Sequence, residues 1–381
     1  MKVPYNRLYF SGKEIQYISD AIERESLCGD GYYTKIVSSF LEETFSINKV
    51  LMTTSATHAL EMASMLIGLK PGDEVLMPSF TFPSTANSVM LQGAKPVFCE
   101  IKKDTLNIDI NDIQKKITSK TKAILPVHYG GISCEMDEIM EIANLYNLYV
   151  IEDAAQGINS KYKNKYLGSI GHMGCYSFHS TKNYICGEGG ALAININDNN
   201  ILERAEILRQ KGTDRHKFIK GQIDKYSWVD LGSSYMPSDI LMAILYAQLQ
   251  NLELIKEKRK IIHEFYLENL QKHINRGIIQ VLTHVPTYSS PNYHLFYIVF
   301  STKEIRDRAL KDLNKFNINA LTHFVPLHSS PMGIKLGYTS NSLPLTENLA
   351  NCLLRLPMST SMTLEEATFV VESLDKVIKE L

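Results

Sequence analysis

A lysine among small and polar residues is the first candidate for chemistry in this sequence. Lys182 lies in the segment CYSFHSTKNYICGEGGALAI, between two predicted strands, with Ser177 and His179 before it and several glycines after it. An isolated lysine is most often a solvated surface residue. Glycines allow close approach of the backbone, and a lysine desolvated between strands has a lowered pKa, which formation of a Schiff base requires. We therefore predict that Lys182 is a catalytic nucleophile.

A second candidate is a carboxylate at the end of an apolar strand. The segment LYVIEDAAQG ends with Glu152 and Asp153, followed by small residues and Gln156. A carboxylate at the end of a buried strand needs a cation or several hydrogen-bond donors to offset its desolvation. One interpretation is a helix cap. The functional interpretation is that Asp153 meets a buried cation, such as a protonated heteroaromatic nitrogen.

A third candidate is a turn of small hydroxyl residues between a short strand and a helix. Ser55, Ala56 and Thr57 occupy this turn in TTSATHALEMA. Such a turn leaves backbone N–H groups and hydroxyl donors free at a helix N-terminus, where an anion binds well. The alternative is an ordinary N-cap. The motif is neither a G-x-x-x-x-G-K-[ST] loop nor a G-x-G-x-x-G fingerprint, so a phosphate bound here need not belong to a nucleoside triphosphate or a dinucleotide.

The three candidates together predict one ligand with a phosphate, a basic ring nitrogen and an aldehyde. Pyridoxal phosphate has all three groups, which we assign to the Ser55–Thr57 turn, to Asp153 and to Lys182. Phe82, in a loop after another strand, is suited to stack on the ring face, and Gln156 to donate to the ring's 3-oxygen.

The elements that must position these residues form an alternating pattern from about residue 49 to 195. We predict strands at 49–52, 74–77, 96–101, 122–127, 148–152, 174–178 and 191–195, separated by amphipathic helical segments such as HALEMASMLIGL and EMDEIMEIANLYN. This pattern predicts an α/β fold with a mostly parallel central sheet, and ligands of such sheets bind beyond the carboxyl ends of the strands. The candidate residues follow those ends.

The C-terminal part of the chain has a different pattern. A long helix-favouring stretch with Ser238 as N-cap runs without Gly or Pro to Gly277 and links to a smaller α+β unit. In that unit we predict a strand at 294–300 and helices near 304–316, 344–354 and 364–381. The expected domains are 14–245, which binds the cofactor, and 246–381 together with 1–13.

Composition excludes several classes of protein. The 381 residues include 40 Lys+Arg and 41 Asp+Glu, for a net charge of −1, so no global positive field favours nucleic acid or a membrane surface. No apolar run is long enough to span a bilayer, and the N-terminus lacks the apolar core of a signal peptide, so we expect a cytoplasmic protein. The six cysteines are scattered, which predicts buried structural thiols and no metal site.

As a set, the motifs LCGDG, PSFTFPSTAN, EDAAQG, GCYSFHSTKN, GEGGA and FVPLH resemble the DegT/DnrJ/EryC1 family of sugar aminotransferases over essentially the whole chain. The resemblance implies the aspartate-aminotransferase type of pyridoxal-phosphate fold and a homodimer with shared active sites. It implies that Lys182 forms the Schiff base, that Asp153 meets the ring nitrogen and that Gln156 meets the 3-oxygen. It also implies stacking by Phe82 and phosphate contacts from Ala56, Thr57 and Ser177.

The resemblance is incomplete at one position and less specific on the substrate side. Many relatives carry Asn in a G-x-N-Y motif that reaches the phosphate from the partner subunit, whereas this chain has Ser234 there. His323 and His328 lie in THFVPLH with several explanations open. His328, Tyr184 and Lys211 are weaker candidates for substrate contacts, and we interpret Trp228 as a packing residue.

The resemblance implies transfer of an amino group from L-glutamate, leaving 2-oxoglutarate, to a nucleotide-linked keto sugar. The segments PVHYGGISCEMDEIM and GQIDKYSWVDLGSSYMPSD are most similar to members acting on a dTDP-linked 4-keto-6-deoxy sugar for cell-surface glycans. Amination of a 3-keto sugar remains an alternative. Lys182 argues against a 3-dehydratase, whose members carry histidine at this position. A nicotinamide-dependent oxidoreductase lacks its glycine fingerprint, and a non-catalytic cofactor-binding regulator would be expected to lack Lys182 or to carry a DNA-binding module.

Overall fold

The computed structural model describes residues 1–25 and 27–380. Ser26 and Leu381, which fall inside the two predicted domains, lie outside the described residues. The strands are β1 (Lys49–Thr53), β2 (Glu74–Pro78), β3 (Lys95–Cys99), β4 (Thr121–Ile124), β5 (Tyr149–Asp153), β6 (Lys161–Tyr162), β7 (Lys165–Tyr166), β8 (Met173–Ser177), β9 (Gly190–Ile194), β10 (Ile279–Leu282), β11 (Ser289–Ser290), β12 (Phe296–Phe300) and β13 (Leu353–Leu356).

The α-helices surround these strands and link them in sequence order. They are α1 (Glu14–Glu23), α2 (Tyr32–Phe45), α3 (Ala56–Leu66), α4 (Pro83–Met90), α5 (Ile110–Lys116), α6 (Met136–Tyr146), α7 (Asn199–Arg209), α8 (Arg215–Ile219), α9 (Asp239–Leu249), α10 (Leu252–Asn275), α11 (Lys303–Lys315), α12 (Pro331–Lys335), α13 (Pro344–Cys352) and α14 (Leu364–Lys379). No helix among the described residues is long and apolar enough to cross a lipid bilayer.

A seven-stranded sheet in the order β1-β9-β8-β5-β4-β2-β3 forms the centre of the larger part of the molecule. Only β9 runs antiparallel to its neighbours, β1 and β8, while the other pairs are parallel. The seven strands predicted over 49–195 are therefore confirmed, with ends that differ by a few residues. Helices cover both faces, which explains why these strands are almost continuously apolar.

A smaller three-stranded sheet, in the order β10-β12-β13, packs against α10, α11 and α14. Val3 lies in the same core and bridges Ile318, so the N-terminal segment packs with this unit. We keep the division into 14–245 and 246–381 with 1–13 as a proposal, which the membership of Val3 supports.

Several sequence predictions are wrong in this second part. The helix-favouring stretch after Ser238 is broken at 250–251 into α9 and α10. Ser238 is the N-cap residue of α9, as predicted, although its hydroxyl donates to the carbonyl of Leu27 and makes no side-chain capping bond. The helix predicted over 344–354 ends at Cys352, because Leu353–Leu356 pairs with β12 as an antiparallel strand. Strand β10 was not predicted.

Two single residues also differ from expectation. Trp228, interpreted as a packing residue, is 78% exposed in the single chain and does not pack in its core. Five cysteines are buried as predicted, but Cys28 is exposed, and all six are free thiols. Among the described residues no group of three or more His, Cys, Asp or Glu side chains is arranged to hold a metal ion.

Candidate active site

A cavity of about 610 Å³ opens at the carboxyl ends of the parallel strands. Its volume is within the usual range for small-molecule sites, about 300–1,000 Å³. The large sheet forms one wall and the C-terminal unit forms the other. Seven of the eight predicted cofactor contacts line this cavity, namely Ala56, Thr57, Phe82, Asp153, Gln156, Ser177 and Lys182.

Asp153 is the last residue of β5, and its carboxylate lies on the cavity side of the sheet. It is 5% exposed, accepts a hydrogen bond from Thr85 Oγ1 at 2.8 Å and one from the Ala155 backbone N–H at 3.2 Å, and forms no ion pair among the described residues. Burial raises the pKa of Asp153, against the opposing effects of these hydrogen bonds and of Lys182. A buried carboxylate that only neutral groups contact is matched to a cationic ring nitrogen.

The neighbouring carboxylate has a different role. Because side chains alternate along a strand, Glu152 points to the opposite face of the sheet from Asp153. Its carboxylate accepts hydrogen bonds from the backbone N–H groups of Gly168, Ile170 and Gly171 at 2.6–2.8 Å and contacts His128 at 2.9 Å. Glu152 therefore stabilises the loop before β8, and Asp153 is the member of the pair that faces the cavity.

Lys182 lies on the loop between β8 and β9. Its backbone N–H donates to the carbonyl of His179 at 2.8 Å, and Ser180 donates to Gly187 at 2.9 Å, which fixes the loop across its base. Burial lowers the pKa of Lys182 to about 8, with Asp153 opposing this effect and Arg355 adding to it. A substantial fraction of the amine is therefore neutral near physiological pH, as a nucleophile or a general base requires.

The Ser55–Thr57 turn forms the N-terminus of α3. Ser55 caps the helix by accepting a hydrogen bond from the His58 N–H at 3.2 Å, and the Thr57 hydroxyl is 2.7 Å from that of Ser84. A Cβ at Gly190 would collide with the backbone of Ser55 and Ala56, so glycine at this position lets β9 approach the turn. The cap and the anion site are thus compatible interpretations of one turn.

Gln156 and Phe82 complete the predicted cofactor contacts. The Gln156 Oε1 accepts a hydrogen bond from the Gly130 N–H at 2.7 Å, and its Nε2 has no protein partner among the described residues. Phe82 immediately precedes α4 and is 59% exposed, with its ring 6.4 Å from that of Phe324. The available amide donor and the accessible aromatic face fit the 3-oxygen and the ring of pyridoxal phosphate.

The residues of this cavity therefore fit the cofactor on three independent observations. Asp153 is buried and forms no ion pair among the described residues, burial lowers the pKa of Lys182, and the N-terminus of α3 carries the hydroxyl groups of Ser55 and Thr57. The buried carboxylate in particular is costly unless a ligand of opposite charge compensates it.

Four predicted residues are not brought to the cavity. Ser234 and Lys211 are exposed on an adjoining segment, where the Lys211 N–H donates to the carbonyl of Ser233 at 3.0 Å. Tyr184 and His328 are fully buried. Tyr184 donates to the carbonyl of Leu252 at 3.0 Å, and His328 joins Ser79 to Glu347. Since a fully buried side chain has no surface in the cavity, this packing argues against direct substrate contact by Tyr184 or His328.

The wall formed by the C-terminal unit contains residues that sequence reasoning missed or left open. His323 lines the cavity with its Nδ1 2.8 Å from the Tyr129 hydroxyl, and His294 has its Nδ1 2.9 Å from Asn183 Oδ1. Burial and the nearby cations hold the pKa of both histidines well below the usual value, so both are neutral at pH 7. Tyr5, Arg259 and Arg355 line the same wall. No local pattern marks them, because they come from distant segments.

Comparisons with known proteins agree with this geometry. The model of the DegT/DnrJ/EryC1/StrS aminotransferase family matches residues 10–375. The chain is 30% identical to the spore coat polysaccharide biosynthesis protein SpsC of Bacillus subtilis, over 99% of this chain and 97% of that protein. It is 29% identical to the GDP-perosamine synthase of Escherichia coli O157:H7, over 98% of both chains.

Among solved structures, NtdA of Bacillus subtilis with bound cofactor PMP superposes with a TM-score of 0.88, at 29% identity over 99% of this chain and 85% of that one. The matched family extends across both walls of the cavity. The chain therefore belongs to the DegT/DnrJ/EryC1/StrS aminotransferase family and is a sugar aminotransferase that depends on pyridoxal phosphate.

Proposed function

We propose that the enzyme transfers the amino group of L-glutamate to a nucleotide-linked 4-keto-6-deoxy sugar. The specific reaction converts dTDP-4-dehydro-6-deoxy-D-glucose to dTDP-4-amino-4,6-dideoxy-D-galactose for a cell-surface glycan. The observation that carries the aminotransferase chemistry is the convergence of Lys182, Asp153 and the N-terminus of α3 on one cavity. The names of the relatives, a perosamine synthase and a coat polysaccharide protein, support an amino sugar destined for a polysaccharide.

Each part of the cavity has a role toward the cofactor in this proposal. The N-terminus of α3 with Thr57 and Ser177 holds the phosphate, Asp153 holds the proton on the ring nitrogen, and Gln156 donates to the 3-oxygen. Phe82 lies against the ring face. When bound, the cofactor supplies an electron sink for the carbon that loses or gains a proton.

Lys182 moves that proton. Lys182 lines the cavity, and the lowered pKa of its amine, about 8, would allow it both to accept and to donate a proton near neutral pH beside the reacting carbon. Asp153 supplies the fixed negative charge opposite the ring nitrogen. His294 and His323 remain uncharged, so they offer hydrogen bonds to sugar hydroxyls without adding positive charge beside Lys182.

A homodimer with shared active sites belongs to this proposal. The segment from Phe218 to Leu231 exposes several large apolar side chains in the single chain, namely Phe218, Ile219, Tyr226, Trp228, Val229 and Leu231. Such a cluster is typical of a protein interface. Ser234 follows this segment by three residues. If a second copy packs on the segment, Ser234 lies close to the interface. The predicted contact of Ser234 with the phosphate in the partner's active site requires that position.

The experiment is an incubation of the purified enzyme with L-glutamate and a panel of keto sugars. The panel contains 3-keto and 4-keto 6-deoxy sugars linked to dTDP, UDP and GDP, and each product is identified by mass spectrometry and NMR coupling constants. We expect an axial 4-amino product from the dTDP-linked 4-keto sugar. Absence of product from every dTDP-4-keto sugar would refute the specific assignment, and a 3-amino product would favour the alternative regiochemistry. A Lys182→Ala variant controls for contaminating activity.

A further inference from the structure

Arg259, on α10, is a buried cation that contacts no carboxylate in the described part of the chain. It is 3% exposed, and its guanidinium donates to the carbonyls of Tyr293 at 2.8 Å and His294 at 2.5 Å. It forms no ion pair with a carboxylate in residues 1–25 or 27–380. Burial lowers its pKa to about 10, so it is still protonated at neutral pH. Neutral carbonyls satisfy its hydrogen bonds but leave its charge uncompensated.

The other arginines that are buried among the described residues, Arg209 and Arg306, form ion pairs with carboxylates. Arg209, 4% exposed, contacts Asp30 at 2.6 Å and Glu206 at 2.9 Å. Arg306, 6% exposed, contacts Asp307 at 2.7 Å. Both of these lie outside the cavity, whereas Arg259 lines it. The missing partner of Arg259 is therefore on the cavity side, where a ligand binds.

Arg355, on β13, is a second guanidinium on the same wall. It donates to the Tyr5 hydroxyl at 2.8 Å and to the carbonyl of Thr322 at 3.0 Å, while its Nε is buried and has no hydrogen-bond partner among the residues that the structure describes. It also lacks a carboxylate partner among the described residues, since Asp153 and Glu188, the acidic residues of the cavity lining, pair with neither arginine. Burial raises the pKa of Tyr5, and Arg355 and Arg259 both oppose this, so Tyr5 lies near both cations.

The position of this pair indicates what it binds. Arg355 and Lys182 line the same cavity, and the charge of Arg355 contributes to the lowered pKa of Lys182. Arg355 therefore lies near the reacting end of the cavity. In an amino acid the α-carboxylate is bonded to the reacting carbon itself. In a nucleotide sugar the diphosphate is separated from the keto carbon by the sugar ring, and its nucleoside must extend toward the opening. A guanidinium as buried as Arg259 suits the smaller, fully enclosed amino acid.

We propose that Arg259 and Arg355 form the carboxylate site for the amino donor and select a dicarboxylic amino acid. In this proposal each guanidinium binds one carboxylate of the ligand, and Arg259 does so through the N–H groups that the carbonyls of Tyr293 and His294 leave free. Tyr5 is a positioning residue, because its hydroxyl holds Arg355. The inference rests on the proposed use of L-glutamate.

The test measures donor binding separately from sugar binding. Arg259→Lys and Arg355→Lys holoenzymes keep the charge but lose the fork, and we expect the Kd of glutarate, an unreactive dicarboxylate, to rise by roughly 10- to 100-fold in calorimetry. The KM for L-glutamate should rise similarly, while the KM for the keto sugar stays unchanged. Arg306→Lys is the matched control, a buried arginine outside the cavity, and its glutarate affinity should equal that of the wild type.

Unchanged glutarate affinity in both variants, with a raised KM for the keto sugar, would overturn the inference and assign the arginines to the diphosphate. Circular dichroism and cofactor content establish that each variant is folded. If Arg259→Lys does not fold, Arg355→Lys and Arg355→Gln decide the question, because Arg355 is only half-buried. Glutarate binding needs no sugar, so it reports on this inference even where the sugar assignment fails.

Discussion

Replacing Asp153 with Asn removes one buried negative charge and preserves the shape of the side chain. An Asn oxygen still accepts a hydrogen bond from Thr85 or Ala155, which contact the carboxylate at 2.8 and 3.2 Å. What the variant loses is the charge opposite the ring nitrogen. Removing one partner of a buried charged pair costs about 3–5 kcal/mol, and at about 1.4 kcal/mol per tenfold this predicts a rate constant lowered by about 10²- to 10⁴-fold.

The assay is a single turnover of the holoenzyme with L-glutamate and no sugar, followed through the absorbance of the bound cofactor. Cofactor content is measured first, so that a weaker complex is not mistaken for slower chemistry. Thr85→Val is the milder comparison variant. It removes one hydrogen bond from an uncharged donor to the same carboxylate, worth about 1–3 kcal/mol, and should slow the reaction about 10-fold. An unchanged rate constant in Asp153→Asn would refute the assignment of Asp153 to the ring nitrogen.

Further predictions concern the lysine, the helix N-terminus and the interface. Lys182→Ala should abolish steady-state transamination, and normal turnover would contradict its role. Because the pKa of Lys182 is lowered to about 8, its neutral fraction grows as pH rises, so incorporation of pyridoxal phosphate into cofactor-free enzyme should accelerate roughly tenfold from pH 7 to pH 9 and then level off; an ordinary lysine would show no plateau there. Gly190→Ala should lower cofactor retention on dialysis and destabilise the fold by about 1–3 kcal/mol, measured by denaturant unfolding, because its Cβ meets the backbone of Ser55. Leu231→Glu should shift the enzyme from dimer to monomer in light scattering, whereas Leu145→Glu, 76% exposed on α6, should leave the dimer intact.

The large sheet was predictable because its signals are local. Each strand is a short apolar run, each helix has a 3.6-residue period, and polar residues follow the strand ends where parallel sheets bind ligands. The errors fell where local patterns are ambiguous. Leu353–Leu356 continues the apolar pattern of α13, and its pairing with β12, 50 or more residues away, decides that it is a strand. The break between α9 and α10 at residues 250–251 lies in a stretch without Gly or Pro, so no local signal marks it.

The burial of each side chain distinguishes candidate substrate residues that the sequence alone could not separate. The polar groups of Tyr184 and His328 find their partners inside the protein, the carbonyl of Leu252 for Tyr184 and Glu347 for His328, and packing between distant elements sets these contacts. Trp228, interpreted as a packing residue, is exposed in the single chain. Neither outcome has a local signature, because exposure depends on which surfaces the rest of the chain covers.

The sequence by itself determined the fold of the large sheet, the cofactor and the candidates Lys182 and Asp153, because these depend on residues next to each strand end. Only the tertiary structure decided the opposite wall. Tyr5, Arg259 and Arg355 come from the N-terminus, α10 and β13, and they meet because two units close on one cavity. Arg259 likewise shows an effect of three-dimensional packing: Glu257 and Glu264 are close to it in sequence, yet among the described residues it contacts no carboxylate and donates to the carbonyls of Tyr293 and His294.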